Sequence, residues 1–133
     1  MTPARGWHYP RVIAHRGGGT LAPENTMAGM RAAHARGLAG VEFDVMLAGD
    51  GVPVLMHDPE FGRTLRGRGK VAATPSGVLQ QMDAGTWLAP QFTGEPVPLF
   101  ADVARWLCQA GIWMNVEIKP SPGHEANTGR VVA

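Results

Sequence analysis

Glu42 and Asp44 stand two apart in the run Val41-Glu42-Phe43-Asp44-Val45-Met46-Leu47, and Glu117 lies between Val116 and Ile118 in a second β-rich run. Side chains alternate along a strand, so Glu42 and Asp44 point to one face. A carboxylate set in an apolar strand is costly to bury unless it is paired or bound to a cation. Three such groups brought together repel one another, and oxygen-only ligation favours a hard ion, Mg²⁺ or Ca²⁺. The competing reading pairs Glu42 with Arg16 and Glu117 with Lys119 as structural ion pairs. His15 and His57 each end a β-rich run and each precede a charged residue, Arg16 and Asp58. Imidazole gives or takes a proton near neutral pH, so two at one site suit a reaction needing an acid and a base. Arg16 and Lys119 add positive charge beside the same strand ends, which suits an anion such as phosphate. His34 reads as a helix-surface residue, and His8 and His124 as solvated.

The elements that must position these groups follow from the pattern. A strand over 11–16 runs into the turn Gly17-Gly18-Gly19. That turn has neither P-loop lysine spacing nor a dinucleotide fingerprint. A helix opens after Pro23-Glu24-Asn25-Thr26, with Asn25 and Thr26 both candidate caps, Met27, Met30 and Ala33 on one stripe, and Gly37 closing it. Strands over 41–47 and 52–57 flank Ala48-Gly49-Asp50-Gly51, a hairpin signal. Pairing Leu47 with Val52 sets Glu42 beside His57. Residues 58–98 are rich in Gly, Pro, Thr and Arg, with a short helix entered at Thr74-Pro75-Ser76 and ending near Met82. A stretch that long covers or binds something. Its basic cluster, Arg63, Arg66, Arg68 and Lys70, reads first as a solvated loop face. A helix over 99–110 ends at Gly111, and a strand over 112–119 stops at Pro120. The tail to Ala133 is polar and ends where another helix is expected to begin. Chemistry at the ends of alternating strands and helices is the arrangement of a (β/α) barrel. A closed barrel takes about 250 residues, and about four strands fit here, so the chain reads as half a barrel.

The 133 residues are 44% apolar and 17% charged, with a net charge of +1. That balance suits one soluble domain and gives no phosphate-tracking surface of the kind nucleic-acid binding needs. The single cysteine, Cys108, excludes an internal disulfide and reads as a small buried filler. The run Met1-Thr2-Pro3-Ala4-Arg5-Gly6-Trp7-His8 has no apolar segment of secretory type, and no run reaches the length of a membrane span. A cytoplasmic location is the default expectation.

Five motifs in order resemble the glycerophosphodiester phosphodiesterase family. They are His15-Arg16-Gly17, Pro23-Glu24-Asn25-Thr26, Glu42-Phe43-Asp44-Val45, Asp50-Gly51-Val52-Pro53-Val54 leading to His57-Asp58, and Glu117-Ile118-Lys119-Pro120. Connecting pieces agree: Arg63-Thr64, Met82-Asp83-Ala84-Gly85-Thr86-Trp87 and Gly94-Glu95-Pro96-Val97-Pro98-Leu99. The likeness covers essentially the whole chain and is greatest to the bacterial cytoplasmic enzyme, whose complete form is about twice as long. It implies a TIM-type α/β barrel present as its N-terminal half, 1–133, with a capping insertion at about 58–98. It implies metal-dependent hydrolysis of glycerophosphodiesters, such as glycerophosphocholine and glycerophosphoethanolamine, to glycerol 3-phosphate and an alcohol. By position, Glu42, Asp44 and Glu117 correspond to ligands of Mg²⁺ or Ca²⁺, His15 and His57 to the acid–base pair, and Arg16 and Lys119 to phosphate contacts. Two other readings stand beside it. One is a non-catalytic fragment or half-barrel that dimerises through its open edges. The other is a different phosphodiesterase of the phospholipase-C-like barrels, against which Glu117-Ile118-Lys119-Pro120 and the long insertion argue.

Overall fold

The computed structural model describes residues 6–133; Met1–Arg5, part of the N-terminal run read above, lie outside the described residues. The centre is a three-stranded sheet of β1 (Gly40–Leu47), β2 (Pro53–Leu55) and β3 (Trp113–Ile118), in the order β2-β1-β3. β3 lies parallel to β1, pairing Glu42 with Asn115 and Asp44 with Glu117. The strand expected over 11–16 contracts to one parallel bridge, Ala14 to Val41, on the opposite edge of β1. Ala14 alone bridges β1; Arg16 and Gly17 take positive φ and break the extended run, although Gly17 N–H still bonds Glu42 O at 3.0 Å. Ala14, β1 and β3 nonetheless make three consecutive parallel segments, each followed by a helix. They are α1 (Met27–Ala35), α3 (Phe100–Ala110) after the long segment, and α4 (Glu125–Val132). The expected helix after the tail is thus already present as α4. The result is a mixed α/β unit with fewer strands than anticipated, consistent with part of a TIM-type barrel.

The β1–β2 hairpin forms, but its register differs by one residue from the expected one. Leu47 pairs with Pro53 and Val45 with Leu55. The cause is an odd-numbered loop: Gly51 N–H bonds Ala48 O at 2.9 Å, Gly51 takes φ +77°, and Ala48 N–H bonds Val52 O. Three-residue loops built this way put a left-handed residue at the end of the turn. Pro53, lacking an N–H, sits at the start of its strand, where no ladder donor is lost.

Helix ends follow their sequence signals. Thr26, not Asn25, caps α1, its Oγ1 accepting from Gly29 N–H at 3.1 Å. At the other end Leu38 N–H bonds Ala33 O and Gly37 N–H bonds His34 O, with Gly37 left-handed, the Schellman arrangement. Gly111 ends α3 the same way at φ +69°. α2 (Ser76–Leu79) starts after Pro75 but is one turn long, shorter than expected.

Two apolar cores result. Val41, Phe43 and Val45, on one face of β1, pack with Met30 and Ala33 of α1 and Val103 and Leu107 of α3. Each fully buried side chain of this size contributes about 1.5–3 kcal/mol. Met46, Val54 and Met56 meet Leu65, Val71, Leu79 and Val97, so residues 58–98 have an apolar footing on the hairpin. Cys108 is exposed on α3, contrary to its reading as filler, because the helix buries Val103 and Leu107 instead. His34 is on the surface as expected, its ring edge-on to Trp106. No helix among the described residues is long and apolar enough to cross a membrane.

Candidate active site

The alternation that buries Val41, Phe43 and Val45 turns Glu42 and Asp44 to the opposite face of β1. The parallel register brings Glu117 directly beside Asp44. One oxygen from each of Glu42, Asp44 and Glu117 lies within 4.8 Å of the others. Two oxygens on opposite sides of a cation held at about 2.1–2.6 Å lie about 4–5 Å apart, so this spacing fits one hard ion. All three donors are carboxylates, which suits Mg²⁺ or Ca²⁺ and not a softer metal. Glu117 makes no hydrogen bond or ion pair among the described residues, leaving its oxygens open to a ligand.

Asp44 is 1% exposed, and Asn25 fixes it. Asn25 Nδ2 donates to Asp44 Oδ2 at 2.9 Å, and Asp44 N–H donates to Asn25 Oδ1 at 3.0 Å. Asn25 does this from φ +55°, a conformation asparagine tolerates better than most residues. Arg16 also has positive φ, and its N–H donates to Glu42 Oε2 at 3.0 Å. Its guanidinium bonds Glu24 at 3.1 Å and lies 3.7 Å from Asp44, with a buried Nε that has no hydrogen-bond partner. The Glu117–Lys119 ion pair of the competing reading does not form. Lys119 Nζ turns instead to His57 Nε2.

The histidines flank the carboxylates unequally. His15 is largely exposed, with Nε2 3.8 Å from Glu42 Oε2. His57 is held on both nitrogens, by Lys119 and by Asp58, whose Oδ1 is 2.6 Å from Nδ1. Arg63 bonds both Asp58 and Glu24, so the loop cation read as solvated is built into the site. Arg63 and His57 together hold the Asp58 carboxyl down to about 2. Burial pushes the Glu24 carboxyl up, but Arg63 and Arg16 outweigh it and leave it below its ordinary value. A cleft of about 290 Å³ opens beside His15 and Arg16, lined also by Thr20, Glu24, Trp87 and Leu88. Trp87 comes from the long segment, its Nε1 donating to Ala84 O at 3.0 Å.

The structure therefore brings Glu42, Asp44 and Glu117 together, sets His57 against Lys119, and places His15 and Arg16 at the rim. Sequence reasoning missed Glu24, Asn25 and Arg63 as site residues. A glutamate and an asparagine next to a helix start look like caps, and an arginine among arginines looks like a solvated loop.

Residues 15–130 match the model of the glycerophosphoryl diester phosphodiesterase family. A glycerophosphodiester phosphodiesterase of Caldanaerobacter subterraneus is 37% identical over 108 residues, 81% of this chain and 44% of that protein. Among solved structures, an Oleispira antarctica phosphodiesterase in complex with the product sn-glycerol-3-phosphate superposes with a TM-score of 0.89. It has 41% identity over 93% of this chain and 50% of that one. A glycerophosphodiester phosphodiesterase of Agrobacterium tumefaciens gives a TM-score of 0.72 and 32% identity over 78% of this chain and 46% of that one. The chain thus spans about half the length of these relatives.

Proposed function

We propose, for a chain that belongs to the glycerophosphoryl diester phosphodiesterase family, that it carries the catalytic wall of an enzyme cleaving glycerophosphodiesters to glycerol 3-phosphate and an alcohol. The observation that carries the reading is the convergence of Glu42, Asp44 and Glu117 within 4.8 Å of one another at the strand ends that also present His15 and His57. Glu42, Asp44 and Glu117 would hold a divalent cation, Mg²⁺ or Ca²⁺, whose positive charge would offset the negative charge that develops on the phosphoryl oxygens.

The chain's own residues do the rest. Arg16 and Lys119 contact the phosphate and orient it against the carboxylate cluster. One histidine of the His15–His57 pair takes the proton of the attacking hydroxyl as the new P–O bond forms. The other gives a proton to the departing alkoxide as the old P–O bond breaks. Residues 58–98 act as a cap, presenting Trp87 over the cleft where a small-molecule diester enters. Family membership and the product-bound Oleispira relative support the substrate class.

The test is glycerol 3-phosphate release from glycerophosphocholine by the chain, with Mg²⁺ or Ca²⁺ and again after chelation. Chelator-sensitive release that Glu42→Gln abolishes is the expected result. A folded, cation-binding sample that releases none favours the second reading, an idle fragment or a half that must pair. The span of about half of each relative gives that reading its footing. Size-exclusion chromatography separates its two forms: a monomer is the fragment, and a dimer pairs through the sheet edges.

A further inference from the structure

We propose that Arg63 is a positioning residue that holds Asp58 against His57, so that His57 keeps its proton on Nδ1 and turns the Nε2 lone pair toward the site. The proposal rests on the reading of His57 as one of the acid–base pair.

One guanidinium uses three nitrogens on two carboxylates. Arg63 Nε donates to Asp58 Oδ2 at 2.7 Å, Nη1 to Glu24 Oε2 at 2.8 Å and Nη2 to Glu24 Oε1 at 2.7 Å. The planar fork of arginine suits such a set, and a lysine has only one nitrogen to offer. With Oδ2 taken by Arg63, Asp58 presents Oδ1 to His57 Nδ1 at 2.6 Å. An ionised carboxylate only accepts, so Nδ1 is the donor of that bond. An ammonium only donates, so Nε2, facing Lys119 Nζ, is the acceptor. Both neighbours therefore select the same neutral tautomer. A histidine's free nitrogen is set by the hydrogen bond its other nitrogen makes.

The alternative is that Arg63, 44% exposed in its side chain, is a surface tie that merely fastens the long segment to Glu24. Exposed ion pairs contribute little to stability. Such a tie would leave the His57 tautomer as it is when Arg63 is changed. Only a positioning role links Arg63 to the protonation pattern of a ring it does not touch.

The experiment is nitrogen-15 NMR of the histidine-labelled chain at neutral pH, in the wild type, Arg63→Ala and Arg63→Lys. The wild type is expected to show a protonated Nδ1, an unprotonated Nε2 and a slowly exchanging Hδ1 resonance. Both variants are expected to lose that resonance, and their two His57 nitrogen shifts converge as the tautomers exchange. Arg63→Lys, with its single nitrogen, behaves as Arg63→Ala does. An unchanged pattern in a folded variant overturns the proposal, as does a wild-type His57 protonated on Nε2. If Arg63→Ala fails to fold, Arg63→Lys decides alone, and failure of both to fold makes Arg63 a folding residue and overturns it too. Because the readout needs no substrate, absence of glycerol 3-phosphate release beside the expected NMR pattern rejects the enzyme reading and not the positioning role.

Discussion

Asn25 shows how much a single side chain carries at this site. Its amide satisfies both the N–H and one oxygen of Asp44, at 3.0 and 2.9 Å, from a position 3% exposed. Asn25→Ala strands a buried donor and half frees a buried carboxylate, a loss of about 1–3 kcal/mol. The alanine must also take the left-handed backbone that Asn25 holds at φ +55°, which adds about 1–2 kcal/mol. Urea unfolding measures this as a lower midpoint at unchanged slope, and a midpoint equal to the wild type would mean that the Asn25–Asp44 pair contributes nothing. Asp58 gives a pH dependence. Its carboxyl falls from 3.8 to about 2, through Arg63 first and then His57. The folded state therefore binds the proton less readily than the unfolded chain. The stabilisation is complete above about pH 4 and is lost as the pH falls through 2. The groups facing Asp58 are Arg63 and His57, with Glu24 and Lys119 one contact further away. Asp58→Asn should thus be less stable than the wild type at pH 6, the gap closing as acid brings both toward pH 2. Denaturant midpoints at several pH values check it, and a gap independent of pH would sink the assignment. The residues legible in the sequence were those whose chemistry is costly in a strand: Glu42, Asp44 and Glu117. Arg63 was hidden because its partners, Glu24 and Asp58, reach it only through the folded path of the long segment.

At the scale of elements, what most needs explaining is how residues 58–98 hold a fixed shape with little regular structure. Asp83 supplies one answer. Its carboxylate accepts from Gly85 N–H, Thr86 N–H, Thr86 Oγ1 and Gly94 N–H, which keeps it well below the ordinary carboxylate range. Glu95 supplies another by accepting from Ala28 N–H at 2.8 Å, so the segment caps the first turn of α1. Between them Gly85 passes so close to the 3-10 turn Pro90–Phe92 that an added Cβ would lie 2.1 Å from Phe92 O. A backbone carbonyl cannot swing aside as a flexible side chain does. Gly85→Ala is expected to cost about 1–3 kcal/mol, the range for overpacking. The strain should also loosen 84–97 before the sheet, so limited proteolysis should cut there first. Equal resistance to protease in the variant would mean that the turn adapts freely. These elements were only partly legible. Helix ends were, because Thr26, Gly37 and Gly111 act through local hydrogen bonds that a short sequence window contains. The hairpin register was not, because a loop with Gly51 left-handed differs by one residue from the even-numbered loop the same letters suggest. The strand over 11–16 shrank to Ala14 because its length depends on where β1 lies, which no local pattern records.

For the molecule as a whole, two strands that gain hydrogen bonds by lying side by side also force their carboxylates together. β1 and β3 pair Asp44 with Glu117 in register, and Glu42 sits one repeat away on the same face. Without a cation this arrangement opposes the sheet, since like charges side by side repel. A ligand that binds only the folded state stabilises it by mass action, about 2.7 kcal/mol at a hundredfold excess over Kd. For a chain of this size that corresponds to a rise of about 5–20 °C in Tm. Wild-type chain should therefore melt higher in Mg²⁺ or Ca²⁺ and return to its starting point with chelator. Glu117→Gln separates the two effects. It removes one repelling charge, so in chelator it should melt at or above the wild type. It also removes one ligand, so in excess divalent ion it should melt below the wild type. That inversion of order is particular to a cation site. A substitution that merely disturbed β3 would lower Tm in both buffers, and a carboxylate group with no affinity for divalent ions would leave the wild type unmoved by either.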